Sequence, residues 1–203
     1  MPRVVLILGR TAAALTLVLF VAIQALDHDF LPPRVSVSQY GIGPLGWLFT
    51  CWSALVASAG FALQASGPTP RRGGRWIAVG GSAMLVMGAV RTDAGGLQHS
   101  LHAKVHMAAS IVALVALPIG LALAMSHAAA WWRRTAGLLV LGTFVSLIMV
   151  LVSAAGVATL RMDGAQSWAF WQSVAVTLDL ALVAVCALST FSERPAALVG
   201  RVR

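Results

Sequence analysis

The sequence predicts an all-α, polytopic membrane protein: a six-transmembrane-helix bundle with both termini cytoplasmic. Three observations carry that expectation. The chain of 203 residues is 59% hydrophobic and 10% charged, with a mean hydropathy of +0.88, too apolar for a water-soluble domain. Its apolar stretches approach the roughly 20 residues that a helix needs to cross a bilayer. Between those stretches, arginine-rich connections alternate with connections rich in aspartate and histidine, the pattern by which flanking charge sets topology.

The spans are read at residues 4–26, 45–64, 76–91, 101–125, 135–160 and 169–192. The first has the basic start and apolar middle of a signal peptide. Ile23-Gln24-Ala25 is a poor cleavage site, however, and the six-pass topology needs the segment, so it is read as a retained anchor. The second and fifth carry small residues one turn apart, Ser53 with Ala57 and Gly142 with Ser146, a spacing that lets helices approach closely. The third is the shortest. In the fourth, Pro118 removes a backbone hydrogen bond and kinks the helix. The sixth carries Asp179 near its middle. Trp47, Trp168 and Trp171 fall at outer boundaries and Trp76, Trp131 and Trp132 at inner ones, forming two aromatic belts. The loops are short and no inverted repeat is visible, so residues 1–203 form a single integral membrane domain. Cys51 and Cys186 sit at depths that differ by roughly 10 Å or more at the helical rise, beyond disulfide reach; both are read as small core residues.

The net charge of +8 is a topology signal. Arg3, Arg10, Arg71, Arg72, Arg75, Arg133, Arg134, Arg194, Arg201 and Arg203, ten of the fourteen basic residues, fall on one side of the six-pass arrangement. Arg34, Arg91, Lys104 and Arg161 share the other side with Asp27, Asp29, Asp93 and Asp163. The positive-inside rule then places the chain in the cytoplasmic membrane, N-in and C-in. Anionic lipid headgroups are the natural counterpart of the basic side, and nucleic acid is excluded as a partner. Nothing in the sequence sets an oligomeric state.

Polar chemistry concentrates on the outer side. Residues 91–106 hold three of the five histidines amid hydrocarbon-like neighbours, and ionisable groups in such a setting mark function. The candidate pocket comprises Asp27, Asp29, Ser36, Ser38 and Tyr40 from the first outer loop, Arg91, Thr92, Asp93, His99, His102 and His106 from the second, and Arg161 from the third. Prolines in the first loop favour a fixed path that folds back over the bundle mouth. His102 and His106, spaced i, i+4, share a helix face, and such a pair chelates a metal such as zinc when a third ligand is near. Asp93 is the candidate third ligand, with Asp27, His28 and Asp29 of the first loop as alternatives. The glutamate of the helical zinc-protease motif is absent, Ala103, Lys104 and Val105 filling the gap, so interfacial histidines held by hydrogen bonds are the competing reading. Haem is disfavoured because its two axial histidines must come from opposite sides, and no other span contains a histidine. Asp179 is the intramembrane acid, at a depth where a charged carboxylate costs about 2.5–3.5 kcal/mol. It is read either as a carboxyl bonded to a hydroxyl of a neighbouring helix or as a proton-relay group.

The order of short motifs resembles a bacterial family of six-helix membrane proteins known as domain of unknown function 998. The matching pieces are Ser36-x-Ser38-x-Tyr40-Gly41, Gly46-Trp47, Thr92-Asp93, Leu101-His102 with His106, and Gln172; where the family places a basic residue after that glutamine, this chain has Ser173. More distantly, the family resembles the Frag1/DRAM/Sfk1-type six-helix proteins, some linked to lipid remodelling. The resemblance implies the architecture and a shared outer site but no reaction.

The leading functional reading is a membrane protein that binds a lipid headgroup or small ligand at the outward-facing pocket, as sensor or accessory factor. Arg34, Arg91 and Arg161 would contact phosphate, membrane lipids would be its partners, and no cofactor would be needed. The alternatives are a metal-assisted membrane hydrolase or lipid-remodelling enzyme built on His102, His106 and Asp93, and a proton-coupled transporter working through Asp179.

Overall fold

In the computed structural model, residues 2–26, 35–66, 69–96, 99–157 and 162–192 are described; Asp27, His28, Asp29, Arg34 and Arg161 of the expected outer site lie outside them. Six helices carry most of the chain: α1 (Pro2–Leu26), α2 (Gly46–Ser66), α3 (Arg71–Ala89), α4 (Leu101–Ala124), α5 (Ala130–Ala154) and α6 (Gly164–Ser192). Five of them, all but α3, are long and apolar enough to cross a bilayer, which makes the chain a multi-pass membrane protein. The first five residues of α3 include Arg71, Arg72 and Arg75, and the apolar run that follows is short.

Three helices depart from the sequence expectation by five residues or more, each for a local reason. α3 starts five residues earlier, because Pro70 sets the chain up for the first turn and its carbonyl accepts the Gly74 N–H at 3.0 Å. The arginines read as a loop therefore lie on a helix face. α5 runs from Ala130 to Ala154 instead of 135–160. Gly156, at φ +81, takes the left-handed conformation that stops it. Trp131, Trp132, Arg133 and Arg134 become its opening turns. α6 starts at Gly164 instead of 169, the Asp163 carboxylate accepting the Gln166 N–H at 2.8 Å and so capping an earlier first turn.

Sequence neighbours pack in pairs, α1 on α2, α3 on α4 and α5 on α6, and α1 meets α6 to complete the ring. The α3–α4 pair approaches most closely. A Cβ on Gly120 would lie 2.6 Å from the Ile77 backbone nitrogen, and one on Gly80 would collide with the backbone of Leu117. Ile77, Leu117 and Leu121 are sealed around the crossing. α5 is instead the helix most given over to lipid: Leu138, Leu141, Val145, Ile148 and Leu151 form an exposed stripe at spacings of three and four residues.

Several hydroxyls inside the bundle are satisfied close to home. Thr16, Ser53, Ser110 and Ser146 each donate to the carbonyl four residues earlier, which keeps a hydroxyl bonded without a neighbouring helix. Arg10 instead crosses between helices, its Nε donating to the Ala187 carbonyl of α6 at 3.2 Å. Both cysteines are free, Cys51 exposed and Cys186 buried.

The α3–α4 crossing gives a stability prediction. Gly120→Val forces side chain against backbone, at a cost on the order of 1–3 kcal/mol, and lowers the thermal-unfolding midpoint in detergent. Gly137→Ala on α5, where nothing lies within 4 Å, leaves it unchanged or slightly raised.

Candidate functional site

The described parts of the first and second expected outer loops meet at one end of the bundle, the mouth. Ser36 is extended and leads into a single 3-10 turn, Val37–Gly41. Val37 and Tyr40 anchor that turn by burying their side chains in the core, and the Ser36 and Ser38 hydroxyls are 3.0 Å apart. Gln39, which the sequence reading passed over, bridges the two loops. Its Nε2 donates to the Asp93 carbonyl at 3.0 Å, and its Oε1 accepts the Gly95 N–H at 2.9 Å. Gly95 presents that N–H from a left-handed backbone, φ +72, which suits glycine.

Asp93 builds the start of α4. One carboxylate oxygen accepts the backbone N–H groups of His99 and Ser100 at 3.0 and 2.9 Å, and the other accepts the Ser100 hydroxyl at 2.6 Å. Ser100 in turn caps the helix by accepting the Ala103 N–H at 3.0 Å. The Ser100 hydroxyl bond and its backbone bond hold the Asp93 carboxyl below its ordinary value.

The histidines separate. His106 is buried, with Nδ1 2.6 Å from the Val90 carbonyl. A carbonyl only accepts, so this contact makes Nδ1 the protonated nitrogen. Its Nε2 is buried without a partner among the described residues, and the Phe49 ring lies 6.2 Å away between centroids. One turn earlier, His102 is exposed, as are Arg91, His99 and Lys104. The face expected to be common to His102 and His106 is thus split. The buried stripe of α4 runs through Ala103, His106, Ser110 and Ala113, and His102 lies beside it at the uncovered rim. His102, His106 and Asp93 do not converge, and among the described residues no three His, Cys, Asp or Glu side chains are placed to hold a metal ion. Thr92 is buried with its hydroxyl unpartnered among the described residues.

Beneath the Val37–Gly41 turn a narrow cleft runs into the bundle between α2, α3, α4 and α6. Its polar lining is Ser38, Trp52, Ser110, Gln172 and Asp179, set among apolar groups such as Phe49 and Met87. The free volume is about 30 Å³, room for a water or two. The Trp52 Nε1 and Gln172 Oε1 atoms are buried and unpartnered among the described residues. At its floor Asp179 accepts the Thr143 hydroxyl of α5 at 2.8 Å, which supplies the neighbouring-helix hydroxyl that the sequence left unnamed. Trp52 and Ser110 were missed because residues inside apolar runs reveal their facing only once the helices are placed.

A second recess lies at the opposite end. Arg72, Arg75, Trp76 and Val79 line an open groove of about 290 Å³. Their spacing puts all four on one face of α3, and Arg72, Arg75 and Trp76 are exposed. No acidic residue occupies the first turn of α3, so guanidinium groups crowd the positive end of the helix dipole, where cations are disfavoured. The sequence signal was present in Arg71-Arg72-Gly73-Gly74-Arg75-Trp76, but it was read as an inner loop.

The Asp93 bracket has a pH signature. Because its folded-state value is depressed, its stabilisation is in place above the ordinary value of 3.8 and is lost as pH falls through the lower, folded one. At neutral pH, Asp93→Ala should speed hydrogen exchange of the His99–Ala103 amides while leaving the middle of α4 protected. In acid below the carboxylate range, wild type should approach the variant.

No curated protein and no solved structure is significantly similar to the chain. A family model does match, over residues 11–189, which includes α2 to α5 whole and most of α1 and α6. The chain belongs to the family described as "Protein of unknown function (DUF998)".

Proposed function

We propose that this chain is a lipid-binding accessory or sensor protein of the cytoplasmic membrane, and that it takes the phosphate of an anionic phospholipid in the groove of α3. The observation that carries this reading is the groove itself: two exposed guanidiniums at the start of a helix without a compensating carboxylate, with room for a headgroup between them. Phosphate accepts from guanidinium in charge-assisted bonds, and the free N–H groups of a helix start favour the same charge. Trp76 and Val79 continue the face in the order a lipid needs, an amphipathic ring at headgroup depth and then an aliphatic side chain beside the acyl chain.

Orientation agrees. Ten of the fourteen basic residues of the chain fall with this end in the six-pass reading, which puts the groove at the cytoplasmic leaflet, where anionic lipids reside. Headgroup binding was expected instead at the mouth, through Arg91 and residues outside the described segments. Arg91 is exposed there, whereas Asp93, Gln39 and His106 are engaged in holding the loops together. The enzyme reading has less support, since its ligand set of His102, His106 and Asp93 is spread apart.

The test is lipid occupancy in protein reconstituted with phosphatidylglycerol or phosphatidylcholine, read by native mass spectrometry. Wild type should retain phosphatidylglycerol preferentially. Arg72→Gln/Arg75→Gln should weaken that preference by on the order of 2 kcal/mol, about 30-fold in affinity, and Arg91→Ala should leave it intact. The groove is the wrong site if Arg91→Ala removes the preference and the α3 pair does not.

A further inference from the structure

Asp179 lies at the middle of α6 and at the floor of the cleft, with one carboxyl oxygen bonded to Thr143. Among the described residues lining the cleft it is the one ionisable group: α2 contributes Phe49, Trp52 and Val56, α3 Met84 and Met87, and α4 Ser110, Ala113, Leu114 and Leu117. His106, one turn above Ser110 on α4, faces the Val90 carbonyl, and Arg10 of α1 bonds Ala187, two turns beyond Asp179 on α6.

Above Asp179 the cleft extends to the Val37–Gly41 turn at the mouth. Gln172 stands seven residues nearer that end, about 10 Å along the helix, and Ser38 closes the top. A free volume of about 30 Å³ admits one or two waters and is too small for a ring or a headgroup. The buried Trp52 N–H and Gln172 carbonyl, one donor and one acceptor without partners among the described residues, supply the hydrogen bonds that hold water in a passage otherwise apolar. Trp52 is only 2% exposed, so no bulk solvent answers its N–H. Below Asp179 the packing is shut: Leu121, Leu182 and Val183 are at most 1% exposed, and the Gly80–Leu117 contact of α3 with α4 lies beside them.

We propose that Asp179 is a proton-binding site reached from the mouth by a short file of one or two waters. The exchange is a simple transfer. The carboxylic acid gives its proton to the lowest water of the file, forming hydronium and leaving the carboxylate with the Thr143 hydroxyl bonded to it; the reverse step restores the acid. No heavy-atom bond forms or breaks. This site stands without the lipid groove, which uses other residues at the other end.

Infrared spectroscopy of the reconstituted protein tests it. The wild type should show a carboxylic-acid C=O band that shifts soon after transfer from H₂O to D₂O, and Asp179→Asn should remove that band. Val176→Phe, placed on the cleft wall between Gln172 and Asp179, should slow the shift by about tenfold, equivalent to about 1.4 kcal/mol on the exchange barrier, whereas Val176→Ala should not slow it. Ser38→Phe asks the same question at the top of the file if Val176→Phe loses its helical amide signal. The proposal is overturned if the band resists exchange for hours, if Asp179→Asn leaves it in place, or if both blocking variants exchange as fast as wild type.

Discussion

The crossing of α3 with α4, where backbone meets backbone at Gly80 with Leu117 and at Gly120 with Ile77, is the constraint on which the rest depends. Lipid gives helices no hydrophobic reason to associate, so close packing through small residues has to hold them. This contact sets the depth of α4 against α3. It thereby brings His106 up to the Val90 carbonyl just past the end of α3 and lets Asp93 reach the start of α4 across a short connection. It closes the bundle below Asp179. At the other end it seats Gly73 against the last turn of α4, which leaves the Arg72–Val79 face of α3 turned outward.

Much of this architecture was legible in the sequence because apolar runs of bilayer length leave the chain few choices. Six helices appear close to where hydropathy put them, and the shifted boundaries of α3, α5 and α6 trace to Pro70, Gly156 and Asp163, whose effects are local. The pairing of Gly142 and Ser146 was also readable, Gly142 facing Leu178 on α6. The glycines of the α3–α4 crossing were not, because small residues occur throughout the chain and only placement shows which of them meet a backbone.

The polar residues teach a different lesson. Their location at the mouth was legible, whereas their work was not. Asp93 looked like a ligand and is a bracket. His102 and His106 looked like a pair and are divided by a turn of helix that passes from rim to core. Gln39 carried no signal at all, since its partners lie 54 and 56 residues away. The cleft likewise could not be read, being assembled from single side chains on four helices whose rotations are fixed only by packing. The two ends of the molecule consequently differ in kind. At the mouth Gln39, Asp93 and Ser100 are bonded within the chain, while at the other end two guanidiniums share an open groove.

The bond from Arg10 to the Ala187 carbonyl joins residues 177 positions apart. Chains emerge from synthesis N-terminus first, so α1 enters the membrane with a guanidinium whose helix-side acceptor has not yet been made. Until α6 arrives, that charge must stay near the interface or borrow water and lipid headgroups. The ring is therefore a late event in biogenesis. Its first helix is held provisionally and locked by its last, and an incomplete bundle is marked by an arginine still in search of its carbonyl.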